Sequence, residues 1–375
     1  MNTSDVIVVG GGLVGMAVAY GLSRQGVKVR VLDEGDDAFR ASRGNFGLVW
    51  VQGKGYRYPA YTRLTRNSAK WWPQLAKELA TTTGVDLQLK QPGGFTFFFT
   101  DEEADERRRR MQSIQDDADG DYPYQMLDRA QVQDIFPYIG PKVIGACYTP
   151  MDGHVNPLKL LRALHDAGHR GGIEYLPNQG ATGITREGGR FVVASGSNRY
   201  HASKVVLAAG LGNKGLAQMV GLHAPVAPNR GQVLISERTQ PFLMHPTMHV
   251  RQTDEGTIQV GDSMEDVGFN DTITTDVIGT IAQRAVNTFP VLGNLNLVRA
   301  WSALRVMSPD GFPIYQESPS QPGAFVVTCH SGVTLAANHA YLIAPWIAGA
   351  PRPDGIEFFS GDRFLNTNTT FSHGH

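Results

Sequence analysis

Val6-Ile7-Val8-Val9 is an unbroken run of apolar, β-branched residues, the pattern of a strand covered on both faces in a parallel sheet. Glycines follow at once: Gly10-Gly11-Gly12-Leu13-Val14-Gly15 carries the spacing G-x-G-x-x-G, and Leu13 to Gln25 reads as a helix closed by Gly26 in the C-cap position. Val27, Val29 and Val31 then alternate with Lys28 and Arg30, which predicts a second strand over Val27 to Leu32 that delivers Asp33 at its end. Farther along, Gln179 to Ile184, the Gly188-Gly189 pair and Phe191-Val192-Val193 predict a hairpin. Val205-Val206-Leu207 predicts an apolar strand ending in the small-residue turn Ala208 to Gly212, and Phe325 to Thr328 predicts another that runs into a helix.

The first of these patterns has a chemical reading. Glycines let the backbone approach a pyrophosphate, a helix N-terminus offers unpaired N–H groups, and an acid ending the second strand accepts ribose hydroxyls. Gly10, Gly12, Leu13, Val14 and Gly15 are therefore candidates for the phosphates, and Asp33 with Glu34 for the ribose, with 17 residues between Gly15 and Asp33. An acid here disfavours a 2′-phosphate, while the motif alone leaves NAD and FAD both open.

Composition narrows the class. The 375 residues suffice for about two or three domains, and 34 Lys and Arg nearly cancel 35 Asp and Glu, so no overall basic field exists to capture nucleic acid or anionic lipid. Cys147 and Cys329 are the only cysteines, too few for a disulfide framework or a four-thiolate metal site, and cytoplasmic, reducing surroundings with no bound metal are the simpler expectation. Val6 to Ser23 and Gly332 to Ala350 are uncharged, but the first is glycine-rich without a basic flank and the second holds Asn338, His339 and Pro345. Both read as buried elements rather than membrane spans. In Asp101 to Arg110, Glu103 with Arg107 and Glu106 with Arg110 stand at i, i+4, predicting a solvated helix laced with weak pairs rather than a nucleic-acid patch. The polar tail Asn366 to His375 is expected to be mobile, and His373 and His375 alone make no metal site.

The residues after Asp33 separate flavin from nicotinamide. Instead of another β-α unit, Arg40 to Trp50 runs as a long, polar, glycine-studded loop into Gln52-Gly53-Lys54-Gly55. Here the chain resembles the D-amino acid oxidase-like family of FAD enzymes, and the Ser42 to Val49 loop is similar to that of the B subunits of bacterial opine oxidases and D-hydroxyproline dehydrogenases. The resemblance continues through Val205 to Gly212, through Trp301 to Ile314 with its Pro309-Asp310-Gly311 turn, and through Phe325 to Thr334, so it covers essentially the whole chain.

It implies an α/β architecture: a Rossmann-like FAD-binding domain interleaved with a smaller α+β substrate domain built on an antiparallel sheet. Residues 1–90, 150–222 and 303–375 would form the first, and 91–149 and 223–302 the second. It also implies cofactor contacts at Ser42, Arg43, Asn45, Phe46, Gly47 and Leu48, at Ala181 against the adenine, at Ala209, Gly210 and Leu211, and at Arg305. Gly332, Val333 and Thr334 would point N–H groups at the flavin's pyrimidine edge, where negative charge develops on reduction.

Amine oxidation by a flavin needs an unprotonated nitrogen and a fixed cation for the substrate carboxylate. Arg305, on the strand before the Pro-Asp-Gly turn where related enzymes carry a carboxylate-binding Arg, is the first candidate, and Arg251 the second. His249 and His330 are candidate acid–base groups. Tyr56, Tyr58 and Tyr61 read as core or as a cover for the pocket, and Gln52 and Lys54 as reaching substrate or a partner. Ala303 aligns with the Cys that anchors covalent flavin in monomeric sarcosine oxidases, and Thr334 with their carboxylate-binding Lys. Covalent attachment there is impossible, and the missing cation favours an electron-transferring dehydrogenase over an oxygen-reacting oxidase.

The activity implied is that of a non-covalent FAD-dependent amine dehydrogenase subunit that oxidises the Cα–N bond of an opine or D-hydroxyproline by hydride transfer. The B subunits it resembles work with an A subunit, often with a small iron–sulfur subunit and sometimes with FMN between chains. Three alternatives stay open: a self-sufficient D-amino acid, glycine or sarcosine-type oxidase producing hydrogen peroxide, a non-catalytic FAD-binding subunit, and a nicotinamide dehydrogenase.

Overall fold

The computed structural model of the protein describes residues 3–35, 40–365 and 371; most of the tail read from sequence, including His373 and His375, lies outside the described residues. The chain opens with strand β1 (Thr3–Val9), helix α1 (Leu13–Ser23) and strand β2 (Val29–Leu32). β1 pairs in parallel with β2 on one side and with Asn198–Leu207 on the other. Glu174–Leu176 extends the sheet beyond β2, Ala324–Thr328 extends it beyond Asn198–Leu207, and Ile314–Glu317 closes that edge antiparallel. The hairpin Gly183–Glu187 with Arg190–Ser195 pairs onto the first half of Asn198–Leu207, which completes eight strands. Three distant stretches of chain thus build one sheet.

Local differences from the sequence reading have clear causes. β2 begins at Val29 because the Lys28 backbone is engaged with Asp5, whose carboxylate accepts from Lys28 N–H at 2.9 Å. The alternation in β2 does not mark a solvent face: Arg30 is buried, ion-paired with Glu174 at 2.6 Å and stacked over the Tyr200 ring. Burial on both faces also explains the apolar run of α1, where a Cβ on Gly21 would stand 2.3 Å from the Ala340 carbonyl.

The Gly332 to Ala350 stretch is divided into a turn at Ala336–Asn338, a π-helical turn at His339–Ile343 and a short helix at Ala344–Ala348. Two of its polar side chains each have a partner inside the protein: Asn338 Nδ2 donates to Leu64 O at 2.6 Å, and His339 Nε2 lies 2.9 Å from the Tyr315 hydroxyl. No helix among the described residues is long and apolar enough to cross a membrane.

A second, antiparallel sheet has the order Val250–Gln252, Thr257–Gly261, Ala227–Arg238, Leu297–Met307. It adjoins a three-stranded sheet (Gly94–Phe98, Gly145–Thr149, Gln125–Asp128) through a bridge between Phe95 and Thr247. Helix Thr275–Thr288 packs on this pair, with Phe95, Phe136 and Phe289 at the centre of a separate core. The Leu297–Met307 strand runs through the 302/303 boundary expected from sequence. It stays whole because its pairing with Ala227–Arg238 extends as far as Met307.

Candidate active site

Where β1 ends, Gly10 adopts φ +108°, and a Cβ there would stand 2.4 Å from Ala208 O. Any side chain would block the approach of the two strand ends. Gly15 lets α1 close on the strand, since its Cβ would fall 1.9 Å from Gly10 O. Gly12 faces Ser42, whose Oγ accepts from Leu13 N–H at 2.9 Å. The Gly12 and Val14 N–H groups have no acceptor among the described residues, so the helix start presents free donors. Asp33 accepts from Gly11 N–H at 2.7 Å and Gly35 N–H at 2.9 Å, fixing its carboxylate at the end of β2.

These groups border a cavity of about 1030 Å³. Its wall includes Gly10, Gly12, Leu13, Val14, Asp33 and Glu34; the 40–45 loop contributes Ser42, Arg43 and Asn45; and Ala181, Ala209, Gly210, Leu211, His330 and Gly332 complete the predicted residues that reach it. Gly15, Phe46, Gly47, Leu48, Val333, Thr334 and Arg305 lie outside that wall. Phe46 packs under Gly261, Leu48 pairs with His154, and Gly47, at φ +89°, donates its N–H to Asn45 Oδ1 at 2.7 Å. The Gly332, Val333 and Thr334 N–H groups also lack an acceptor among the described residues. A long cavity with orphan donors at two turns and an acid at a strand end fits a dinucleotide, with phosphates at Gly10–Gly15 and the redox ring toward Val327–Gly332.

Arg305 stands on the antiparallel sheet face that looks toward the Gly44 to Gly47 loop. Gly231, diagonally across and paired with Ala303, makes room, since a Cβ there would fall 2.3 Å from Arg305 Nη2. Its guanidinium donates to Asn229 Oδ1 at 3.0 Å and is ion-paired with Asp262. His249 Nδ1 is 3.7 Å from Asp262 Oδ1. Burial opposes ionisation of Asp262, but the neighbouring His249 and the charges of Arg305 and Arg284 outweigh it and hold the carboxyl well below its usual range. Burial pulls His249 down, so it is neutral at pH 7. His249 and Asp262 are partly exposed, with 36% and 34% of their side-chain surface open.

Arg251 corrects the sequence expectation. Its Nε donates to Phe46 O at 2.5 Å and its Nη1 meets His154 Nδ1 at 3.3 Å, so it clamps the loop and has no open face for substrate. Burial lowers it to about 10. Tyr61 is core, hydrogen-bonded to Ser331 at 3.0 Å, and Tyr58 stacks on Phe312. Gln52 is turned inward to Gly94 O and Cys147 O, which removes it from substrate and partner alike.

Sequence alone misses the placement of three residues. Asp262 lacks a motif. Arg107 is spaced for a surface pair with Glu103, but Glu103 caps Phe99 N–H at 2.7 Å instead. Arg107 turns inward, its Nη1 2.6 Å from where a Gly53 Cβ would be, without a hydrogen bond or ion pair among the described residues. Its charge is felt at His249. The Glu106–Arg110 pair forms, at 3.0 Å. Lys54 brings its ammonium to Thr334 Oγ1 at 3.4 Å, so the place expected to lack a cation holds one from elsewhere in the chain. Among the described residues no group of three or more His, Cys, Asp or Glu side chains could hold a metal ion.

Comparison with known proteins agrees with this geometry. The family described as "DAO: FAD dependent oxidoreductase" matches residues 5–346. The chain is 45% identical to the opine oxidase B subunit of Agrobacterium tumefaciens (strain Ach5), over 97% of this chain and 98% of that protein. It is 43% identical to the corresponding B subunit of Rhizobium meliloti opine oxidase, over 97% and 98%. The glycine oxidase structure from Geobacillus kaustophilus superposes with a TM-score of 0.90 at 24% identity, covering 96% of this chain and 98% of that one. The chain belongs to the DAO family of FAD dependent oxidoreductases.

Proposed function

We propose that this chain is the catalytic subunit of a hetero-oligomeric opine-type dehydrogenase, oxidising a secondary amine that carries carboxylates on both sides of its nitrogen. The observation that carries this reading is the Arg305–Asp262–His249 group, three partly exposed side chains in ion-pair or near ion-pair contact beside the cofactor loop. Arg305 holds the carboxylate of the carbon to be oxidised, in exchange for its contact with Asp262. Asp262 then faces the substrate nitrogen, and neutral His249 accepts the ammonium proton that must leave before oxidation. Bound FAD supplies the two-electron acceptor.

The unpartnered Arg107 favours a second carboxylate, as in an opine, over a simple amino acid. The opine oxidase relatives are B subunits by name, which supports a partner A subunit here; an FMN or iron–sulfur group would then belong to the assembly. The test is anaerobic: the purified FAD-bound chain is mixed with opines, D-hydroxyproline, sarcosine, glycine and D-amino acids, and bleaching of the flavin band is followed. Opines are expected to bleach it fastest; bleaching by glycine or D-amino acids alone, with peroxide formed in air, establishes the oxidase alternative.

A further inference from the structure

The loop after Val51 turns at Gly53 and Gly55, both at positive φ, and drives Lys54 into the protein, where it is 8% exposed. Its Nζ donates to Ser331 Oγ at 2.7 Å and reaches Thr334 Oγ1 at 3.4 Å. Thr334 Oγ1 is held in turn by Trp50 N–H at 3.1 Å and Leu48 O at 3.3 Å, so the contact is built rather than incidental.

No carboxylate lies within ion-pair distance of Lys54 among the described residues. Of the titratable groups around it, Asp152 is the one that carries negative charge near neutral pH, at longer range than an ion pair. Burial raises Asp152 to about 7 and the Cys329 thiol to about 12, and pushes the Tyr61 hydroxyl up as well; His330, on the far side of Ser331, carries no negative charge. A buried ammonium without an anion at contact distance is costly and persists where something negative visits it. The turn it supports, Gly332 to Thr334, presents three N–H groups without acceptors among the described residues, and Gly332 faces the cavity. With the phosphate end of the cavity fixed at Gly10–Gly15, this end is left for the redox ring.

We propose that Lys54 is a fixed cation, acting through Ser331 and Thr334, that favours the reduced, negatively charged state of the flavin over the oxidised one. Lys54 is a positioning and electrostatic residue and touches neither substrate nor reacting atoms. This role rests on FAD occupying the cavity. FAD content measured first separates the two: a preparation without flavin fails that premise, whereas the following readouts need flavin-loaded protein and no substrate.

Sulfite adds to the flavin N5 and leaves negative charge on the ring, so its affinity reports nearby cations, as the midpoint potential does. In Lys54→Met, sulfite affinity falls ten-fold or more, and the potential drops by about 30 mV for each ten-fold loss in the reduction equilibrium. Lys54→Arg, which keeps the charge, stays within about two-fold. Equal values in wild type and Lys54→Met, or the same loss in both variants, overturn the proposal. Should Lys54→Met not retain FAD, the wild-type holoenzyme still decides: sulfite binding weakens as pH rises through the Lys54 titration near 8, and affinity constant from pH 8 to 10 overturns it.

Discussion

Arg305 and Asp262 are ion-paired across the antiparallel sheet, and Asn229 holds the other arm of the guanidinium at 3.0 Å. Asp262 thus occupies the cation proposed to hold the substrate carboxylate. On that proposal, binding is an exchange in which Asp262 loses Arg305 and gains the substrate nitrogen.

Asp262→Asn separates the two halves of that exchange. With the competing charge removed, simple carboxylate inhibitors bind about 10-fold tighter, while amine-dependent flavin reduction slows by at least that factor. Spectral titration with an unreactive carboxylate and stopped-flow reduction measure the two effects. Tighter inhibitor binding with an unchanged reduction rate would restrict Asp262 to holding Arg305.

Arg107→Gln tests the second carboxylate. Removing a buried, desolvated guanidinium from a carboxylate costs roughly 2 to 5 kcal/mol, which is about 30-fold or more in affinity. The loss falls on opines and spares sarcosine and proline-like amines, so the ratio of kcat/KM between the two classes collapses. A uniform loss across all amines points to a structural role.

Lys54 carries a stability cost that its removal exposes. Desolvation lowers it from 10.5 to about 8, so as pH falls from 10.5 to 8 the unfolded chain binds a proton that the native chain does not, and native stability declines across that window. The decline amounts to roughly 3 kcal/mol at most. Lys54→Met apoprotein therefore has a higher Tm at pH 8 than wild type, with the gap closing toward pH 10.5. A lower Tm at every pH would mean that the ammonium's hydrogen bonds stabilise the fold.

Two buried histidines predict acid lability. Burial lowers both His154 and His339 from 6.5 to about 3, so below pH 6.5 the unfolded chain takes up two protons that the folded chain refuses until near pH 3. Stability falls with decreasing pH over this window, by about 1.4 kcal/mol per pH unit for each histidine. Denaturant melts of His339→Asn between pH 7 and 4 are expected to show a slope shallower by one such increment.

The nucleotide half of the molecule is legible in the sequence because its chemistry is local. Gly10 to Gly15 and Asp33 declare themselves by spacing, and the structure sets Gly10 to Val14 and Asp33 around one cavity wall, with Gly15 closing the helix on the strand. On the other side Arg305 and His249 are candidates from sequence, but their meeting with Asp262 is not legible, because strand pairing between distant stretches brings the three together. Arg107 misleads because i, i+4 spacing permits the Glu103 pair but does not require it; the competing bond from Phe99 N–H to Glu103 frees Arg107 to turn inward. Arg251 sits where alternation cannot choose a face, and the Phe46 carbonyl chooses it. Lys54 is visible as a residue but not as a cation beside Thr334, since the two are 280 residues apart.

Anaerobic stopped-flow reduction of FAD-loaded wild type and Arg305→Met by an opine, over a range of concentrations, tests the assigned carboxylate site with the fewest intervening steps. Wild type is expected to bleach saturably, and the variant, at equal FAD content, to show an apparent Kd raised about 30-fold or more. An unchanged Kd and rate in Arg305→Met would remove Arg305 from substrate binding and move the substrate carboxylate elsewhere.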